Sequence, residues 1–159
     1  MTPEIEFMKK ALAQARKAAA EGEVPVGAVV VHHGKIIGSG RNRAIAKSDP
    51  TAHAEVAAIR QACRRRKNYR IADCELFVTL EPCAMCLGAV VQARIRRLIY
   101  GAADPKAGAV KSVMTFPFAR LNHRPEITGG ILSEECGRLL KDFFKERRRN
   151  RSTADARRF

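Results

Sequence analysis

The chain has 159 residues, enough for one globular domain with a buried core, and it contains no apolar run long enough to span a membrane. Thirty Lys and Arg residues against sixteen Asp and Glu residues give a formal net charge of +14, which indicates a polyanionic partner such as a nucleic acid. An arginine-rich composition with solvated basic faces is the alternative explanation of the same charge.

The first half of the chain is predicted to contain two helices separated by a hairpin. Thr2 is a suitable helix N-cap, Pro3 suits the first helical position, and apolar residues then recur at helical spacing. Two β-branched runs meet at His33-Gly34, which predicts a tight turn. The elements are a helix from Pro3 that Gly22 ends, strands over 24–31 and 35–39, a polar loop over 41–50 and a helix over 51–65.

The second half alternates strands and helices. Its predicted elements are a strand over 76–80, a helix over 84–93, a strand over 97–100, a loop over 101–108, a short helical segment around 112–114, a strand over 126–128 and a last helix capped by Ser133. Alternation of strand, helix and strand implies parallel pairing through right-handed crossovers, after an antiparallel start. The predicted fold class is therefore α/β, a three-layer α/β/α sandwich around a central mixed sheet of five strands.

Two segments concentrate the positive charge. Residues 64–67 are four consecutive basic residues, and residues 141–159 contain eight Lys or Arg against three acids, a net of +5. A single domain is predicted over 1–150, followed by a basic tail over 151–159 that is expected to be flexible because it lacks an apolar period. In the last helix, Phe143 continues the inner face and is expected in the core, whereas Phe144 lies off that face and is available to stack on RNA or to join the core.

The five cysteines indicate metal or redox chemistry rather than a disulfide framework. Their number is odd, and Cys83 and Cys86 form a C-x-x-C pair. Because the first residues have neither the basic nor the apolar region of a signal peptide, we expect a cytoplasmic protein, and disulfides are rare in that compartment. Cys63, Cys74 and Cys136 are isolated and are expected to serve as apolar core residues.

Two short motifs predict a zinc site with one ion per subunit. T-A-H-A-E ends in Glu55, and T-L-E-P-C-A-M-C ends in Cys86. The predicted ligands His53, Cys83 and Cys86 leave a fourth position open for water, as in catalytic zinc sites, and no further Cys or His pair is spaced to close it. Both motifs open predicted helices, where free N–H groups favour thiolates, and His53 is placed in the first turn of its helix.

Glu55 is the predicted catalytic residue. Zinc lowers the pKa of a bound water, and a carboxylate two residues from His53 can take a proton from that water and return it to a ring nitrogen and to a departing amine. Each motif alone has a common alternative, since H-x-E is often only a helix start and C-x-x-C can be redox-active. Together, H-x-E and P-C-x-x-C form the signature of zinc-dependent nucleobase deaminases.

Beyond these motifs, the chain resembles the bacterial tRNA-specific adenosine deaminases of the cytidine-deaminase-like superfamily, from Met8 to Phe144. The matching stretches are E-V-P-V-G-A-V (23–29), G-R-N (40–42), D-P-T-A-H-A-E (49–55), T-L-E-P-C-A-M-C (79–86), G-A-A-D-P-K-A-G (101–108) and N-H-R (122–124). The zinc motifs identify only the superfamily, whereas the D-P-K-A-G loop and the N-H-R stretch favour the tRNA branch.

The resemblance implies that a homodimer, with sites built partly at the subunit interface, converts adenosine to inosine at the wobble position of an arginine tRNA. It implies that Asn42 hydrogen-bonds the flipped-out nucleoside and that the Ala54 backbone holds the base edge beside Glu55. It places Asp104 and Lys106 along the ribose and phosphates next to the target. The residues implied to meet the anticodon loop are Phe144 and the basic residues after it, Arg147, Arg148 and Arg149.

Two other functions remain open from the sequence. A deaminase of a free base or nucleoside, of the guanine or cytosine type, would use the same scaffold, zinc and Glu55, so the substrate loops and the basic tail discriminate between the two. A nucleic-acid-binding module with a structural zinc is the alternative from another class. Glu55 argues against such a module, because a structural site has no use for a carboxylate that is not a ligand.

Overall fold

The predicted first helix and hairpin are confirmed in the structure, a computed structural model that describes residues 2–156. Helix α1 spans Pro3–Ala20, and the Thr2 hydroxyl accepts the N–H of Ile5 at its start. Strands β1 (Gly27–His32) and β2 (Lys35–Arg41) pair antiparallel. The chain turns between the two strands through His33 and Gly34, which both have positive φ.

The remaining elements follow the predicted order, with two short additions. They are α2 (Ala44–Lys47), α3 (Ala54–Arg66), β3 (Cys74–Leu80), α4 (Ala84–Ala93), β4 (Arg97–Ala102), a 3-10 turn (Phe118–Arg120), β5 (Glu126–Thr128) and α5 (Ser133–Ala156). Within the described residues, no helix is both long enough and apolar enough to cross a bilayer.

The five strands form one mixed sheet in the order β2-β1-β3-β4-β5, which confirms the predicted α/β architecture. Strand β1 is antiparallel to both of its neighbours, whereas β3, β4 and β5 are parallel. One face of the sheet packs against α3 and α4, and the other packs against α1 and α5. Cys74 and Cys136 are buried in these cores as predicted, and Cys63 is half-buried.

Sheet topology brings the functional loops to one edge. Because β2 and β3 are both antiparallel to β1, their carboxyl ends lie on the same side as that of β4. The loops that follow these three strands therefore meet there, at the edge where open α/β sheets bind ligands. Helix α3 begins close to β2, since a Cβ at Gly40 would overlap the carbonyl oxygen of Ala54.

Three predicted segments are corrected by the structure. The loop over 41–50 contains α2, and the helix predicted over 51–65 begins only at Ala54, because the N–H and hydroxyl of Thr51 bond to the Asp49 carboxylate in a turn. Residues 112–114 are not helical, and the short 3-10 turn lies later in the chain. The flexible tail over 151–159 stays a prediction: helix α5 continues to Ala156, and residues 157–159 lie outside the described residues.

Candidate active site

The three predicted metal ligands meet at the starts of two helices. Cys83 is the N-cap of α4, and Cys86 lies in the first turn of that helix. His53 is the N-cap of α3 with an extended backbone, so it precedes the first turn rather than lying in it as predicted. The His53 Nδ1 lies 3.7 Å from the Cys83 Sγ and 3.5 Å from the Cys86 Sγ.

The spacing of these three donor atoms fits a zinc ion. Tetrahedral coordination with Zn–S bonds of about 2.3 Å and Zn–N bonds of about 2.0–2.1 Å separates nitrogen from sulfur by about 3.5–3.6 Å. The observed distances agree with that separation, and all three atoms lie within 4.8 Å of one another. In the part of the chain that the structure describes, no fourth protein donor joins the group, which leaves one coordination position open.

The surroundings of Cys83 and Cys86 shift the pKa values of the two thiols in opposite directions. A hydrogen bond donated by the Cys86 thiol lowers the pKa of Cys83 to about 4, and the same contact, together with burial, raises the pKa of Cys86. The hydrogen bond to Cys83 also raises the pKa of His53. A divalent cation bound by this group would release protons from it, because thiolate and neutral imidazole are the ligating forms.

Glu55 lies beside the ligands without being one of them. It is in the first turn of α3 and is only 4% exposed. Burial raises the pKa of its carboxyl group, while the charge of His53 and a hydrogen bond with Cys86 oppose that shift. A carboxyl group with a raised pKa suits general acid–base chemistry near neutral pH.

Asn42 connects the end of β2 to the start of α3. Its side-chain oxygen accepts the N–H of Ala54 at 2.9 Å. The amino group of Asn42 therefore remains to donate to a substrate. The Ala54 N–H already has this partner, so a role in holding a base edge would compete with the bond to Asn42.

A cavity of about 410 Å³ opens between the loop after β4 and helix α5. Four of the predicted substrate residues line it: Asp104, Lys106, Phe144 and Arg148. The Lys106 ammonium lies 5.2 Å from the centre of the Phe144 ring, so a cation and an aromatic face are presented together.

Phe143 and two of the predicted contact residues of α5, Arg147 and Arg149, do not line this cavity. Phe143 is half-buried rather than fully within the core, and the Arg147 guanidinium lies 5.5 Å from the centre of its ring. Arg149 is exposed on the same helix. The structure therefore separates Arg148, which lines the cavity, from Arg147, which covers Phe143.

Glu81 is an organising residue that sequence reasoning missed. It is 2% exposed, and its carboxylate accepts the N–H groups of Asp104, Val110, Lys111 and Ser112 at 3.0–3.1 Å, along with the Ser112 hydroxyl. Burial alone would raise the pKa of Glu81, but these bonds lower it. These bonds therefore join the loop after β4 to Glu81, which lies between the end of β3 and Cys83.

Glu23 plays a similar part at the short helix α2. Its buried carboxylate accepts the N–H groups of Ile45 at 3.1 Å and of Ala46 at 2.8 Å, which are free donors at the helix start. Only the position of Glu23 in the E-V-P-V-G stretch could have indicated a special role for it.

Comparisons with known proteins agree with this geometry. Residues 3–148 match the MafB19-like deaminase family. The tRNA-specific adenosine deaminase of Haemophilus influenzae is 47% identical over 152 residues, covering 94% of this chain and 88% of that protein. A solved tRNA:A34 deaminase, studied for A-to-I editing at the wobble position of transfer RNA, superposes with a TM-score of 0.82 at 46% identity and covers 85% of this chain and 99% of its own. Guanine deaminase from Nitrosomonas europaea superposes with a TM-score of 0.76 at 26% identity, covering 89% and 84%.

Proposed function

This chain belongs to the family of the tRNA-specific adenosine deaminases, and we propose that it deaminates adenosine to inosine at the wobble position of a tRNA with release of ammonia. One observation carries the proposal: a buried carboxyl group, Glu55, lies beside a three-donor metal group in a chain that aligns nearly end to end with tRNA deaminases. A cytoplasmic location fits this substrate.

The proposed mechanism uses five side chains. His53, Cys83 and Cys86 would hold one zinc ion per subunit, which when bound supplies a water of lowered pKa. Glu55 takes one proton from the attacking water and delivers it to the ring nitrogen of the base. It then moves the second proton, from the hydroxyl group added to the base, to the amine, which departs as ammonia. Asn42 orients the flipped nucleoside through its side-chain amino group, while its side-chain oxygen accepts the N–H of Ala54.

The cavity between the loop after β4 and helix α5 favours a tRNA over a free base as the substrate. Lys106 and Arg148 can contact phosphates, and Phe144 offers a ring on which an unpaired base can stack. A free base would need none of these groups. The choice of an arginine tRNA is proposed from the family resemblance described above.

Direct detection of inosine tests the proposal. The pure protein is incubated with a tRNA that carries adenosine at the wobble position and with the same tRNA carrying guanosine there. Inosine is expected at that single position of the first RNA, with one ammonia released per inosine. Guanine and cytosine are assayed in parallel, because ammonia release from either without inosine in the tRNA would favour the free-base alternative.

Removing the basic end of α5 is expected to weaken tRNA binding. A chain ending at Lys145 loses Arg147, Arg148 and Arg149, and each lost phosphate contact reduces the slope of log affinity against log salt by about 0.7 on a single strand. The magnitude of the slope of log affinity against log salt, measured by fluorescence anisotropy with labelled tRNA, should therefore decrease by about 2. A chain ending at Asn150 keeps these three residues and is the matched control. Equal binding and editing by both truncated chains would show that the three arginines do not contact the RNA.

A dimer is the proposed assembly. Met85, which lies between the two cysteine ligands, is 39% exposed, and Val113, Met114 and Leu121 are 42–51% exposed, so several apolar side chains near the site lack cover within one subunit. Light scattering should give about twice the chain mass of 17.6 kDa, and Met85→Glu combined with Met114→Glu should reduce it to that of one chain. A fully active unaltered protein with the mass of one chain would contradict shared sites.

A further inference from the structure

A groove of about 250 Å³ runs along the outer edge of the sheet, beside the proposed active site. It lies between the edge strand β2, helix α2 and one face of α3. We call it the basic groove, because five basic side chains line it: Arg41, Arg43, Lys47, Arg60 and Arg64. At one end it reaches Ala52, the residue before the metal ligand His53.

The five side chains come from both walls of the groove. Arg60 and Arg64 are four residues apart, so they project from the same face of α3 and are separated by about 6 Å along the helix axis. Arg41 ends β2 on the opposite wall, and Asn42 follows it directly in the active site. The basic groove therefore begins beside the active site, where a target base would enter, and leads away from it.

Acidic residues compensate only part of this charge. Glu21 forms an ion pair with Arg41 at 2.6 Å and a longer contact with Arg43 at 3.9 Å. Asp49 lies near Lys47 and Arg60, but its carboxylate accepts hydrogen bonds from Thr51. Five cations against two acids leave three positive charges in excess. Among the described residues, Lys47, Arg60 and Arg64 have no salt bridge to an acid.

Arg43 supplies a second and independent observation. Its Nε is buried and has no hydrogen-bond partner among the described residues, since the Glu21 carboxylate at 3.9 Å is beyond hydrogen-bond distance. Native structures contain few buried donors without a hydrogen bond. An anionic oxygen seated in the basic groove would accept this N–H and receive charge from the neighbouring guanidinium groups.

We propose that the basic groove binds the sugar–phosphate backbone of the RNA that flanks the target nucleotide. This inference rests on the proposed function, because it assigns the substrate of that active site a second contact surface. The cavity beside α5 lies at the ends of β3 and β4, where Leu80 and Ala102 line it, whereas the basic groove lies at the edge strand β2, so the two basic surfaces are at different strands of the sheet. RNA that enters the site with one base flipped out would have backbone on both sides of that base to occupy them.

A charge-removal experiment tests the basic groove. Arg60→Gln combined with Arg64→Gln removes two groove charges, while Lys10→Gln combined with Lys17→Gln removes two charges from the exposed side of α1. Salt-dependent binding of a tRNA with adenosine at the wobble position is measured for both variants and the unaltered protein. The groove variant is expected to bind more weakly at every salt concentration, and the magnitude of its slope of log affinity against log salt should fall by about 1.4. The α1 variant should retain the original slope.

Two outcomes separate this inference from the proposed function. If the unaltered protein forms inosine but the groove variant keeps its salt slope, the basic groove does not bind RNA and the inference is wrong. If the groove variant loses slope while the unaltered protein forms no inosine, the groove binds RNA but the proposed reaction fails. Zinc content and circular dichroism of both variants exclude misfolding as the cause of weaker binding.

Discussion

Replacing Glu55 with glutamine is expected to abolish measurable deamination while zinc remains bound. Glutamine has nearly the same shape as glutamic acid and fills the same buried space, but it cannot accept a proton from water. General acid–base groups contribute about 10²–10⁴-fold to rate, and Glu55 is proposed to act in more than one proton transfer, so the loss should reach the upper end of that range.

Single-turnover inosine formation and metal content per chain measure the two halves of this prediction. Glu6→Gln, on the exposed face of α1, is a matched control that removes a carboxylate far from the metal group. Near-normal turnover by the Glu55→Gln protein would refute the proton-transfer role. Loss of zinc from that protein would instead make Glu55 a ligand.

Replacing Cys86 with serine is expected to remove both the metal and the activity. Cys86 is fully buried within the metal group, and a hydroxyl is a much poorer zinc ligand than a thiolate. Stability should fall as well, because a ligand that binds only the folded state stabilises it by about 4 kcal/mol at a thousandfold excess over its dissociation constant.

Zinc content after gel filtration and the melting temperature with and without added zinc check this prediction. The unaltered protein should melt at a higher temperature when zinc is added, whereas the Cys86→Ser protein should show no such shift. Cys63→Ser is the control, since Cys63 is half-buried and lies outside the metal group. A Cys86→Ser protein that retains one zinc per chain would contradict the assigned ligand set.

Local signals in the sequence were sufficient to predict the elements that carry the proposed metal ligands. Helix α4 spans the predicted residues because Pro82 and the two cysteines mark its start and the apolar run defines its length. The hairpin was predictable because a left-handed turn at His33-Gly34 follows from the glycine. The metal group was predictable because ligand spacing in two helix-opening motifs is itself a local pattern.

Contacts between distant residues account for what the sequence did not predict. Helix α2 depends on Glu23, which lies more than twenty residues before the N–H groups that it accepts. In the segment around 112–114, the N–H of Ser112 bonds to Glu81 and those of Val113 and Met114 bond to the Gly108 carbonyl, so contacts from outside the segment fix its conformation. The basic groove gathers arginines from β2 and α3 that are far apart in the chain, and only the fold brings them together.

The bonds made by Glu81 bear on how deaminases of this fold diverge. Its carboxylate holds the loop after β4 mainly through main-chain N–H groups, which every residue except proline provides. Side chains at 105–107 can therefore be exchanged during evolution while the loop keeps its conformation and the neighbouring cysteines keep their positions. New substrate preferences could arise by point substitutions in this loop, without insertions and without disturbing the chemistry that the ancestral enzyme already performed.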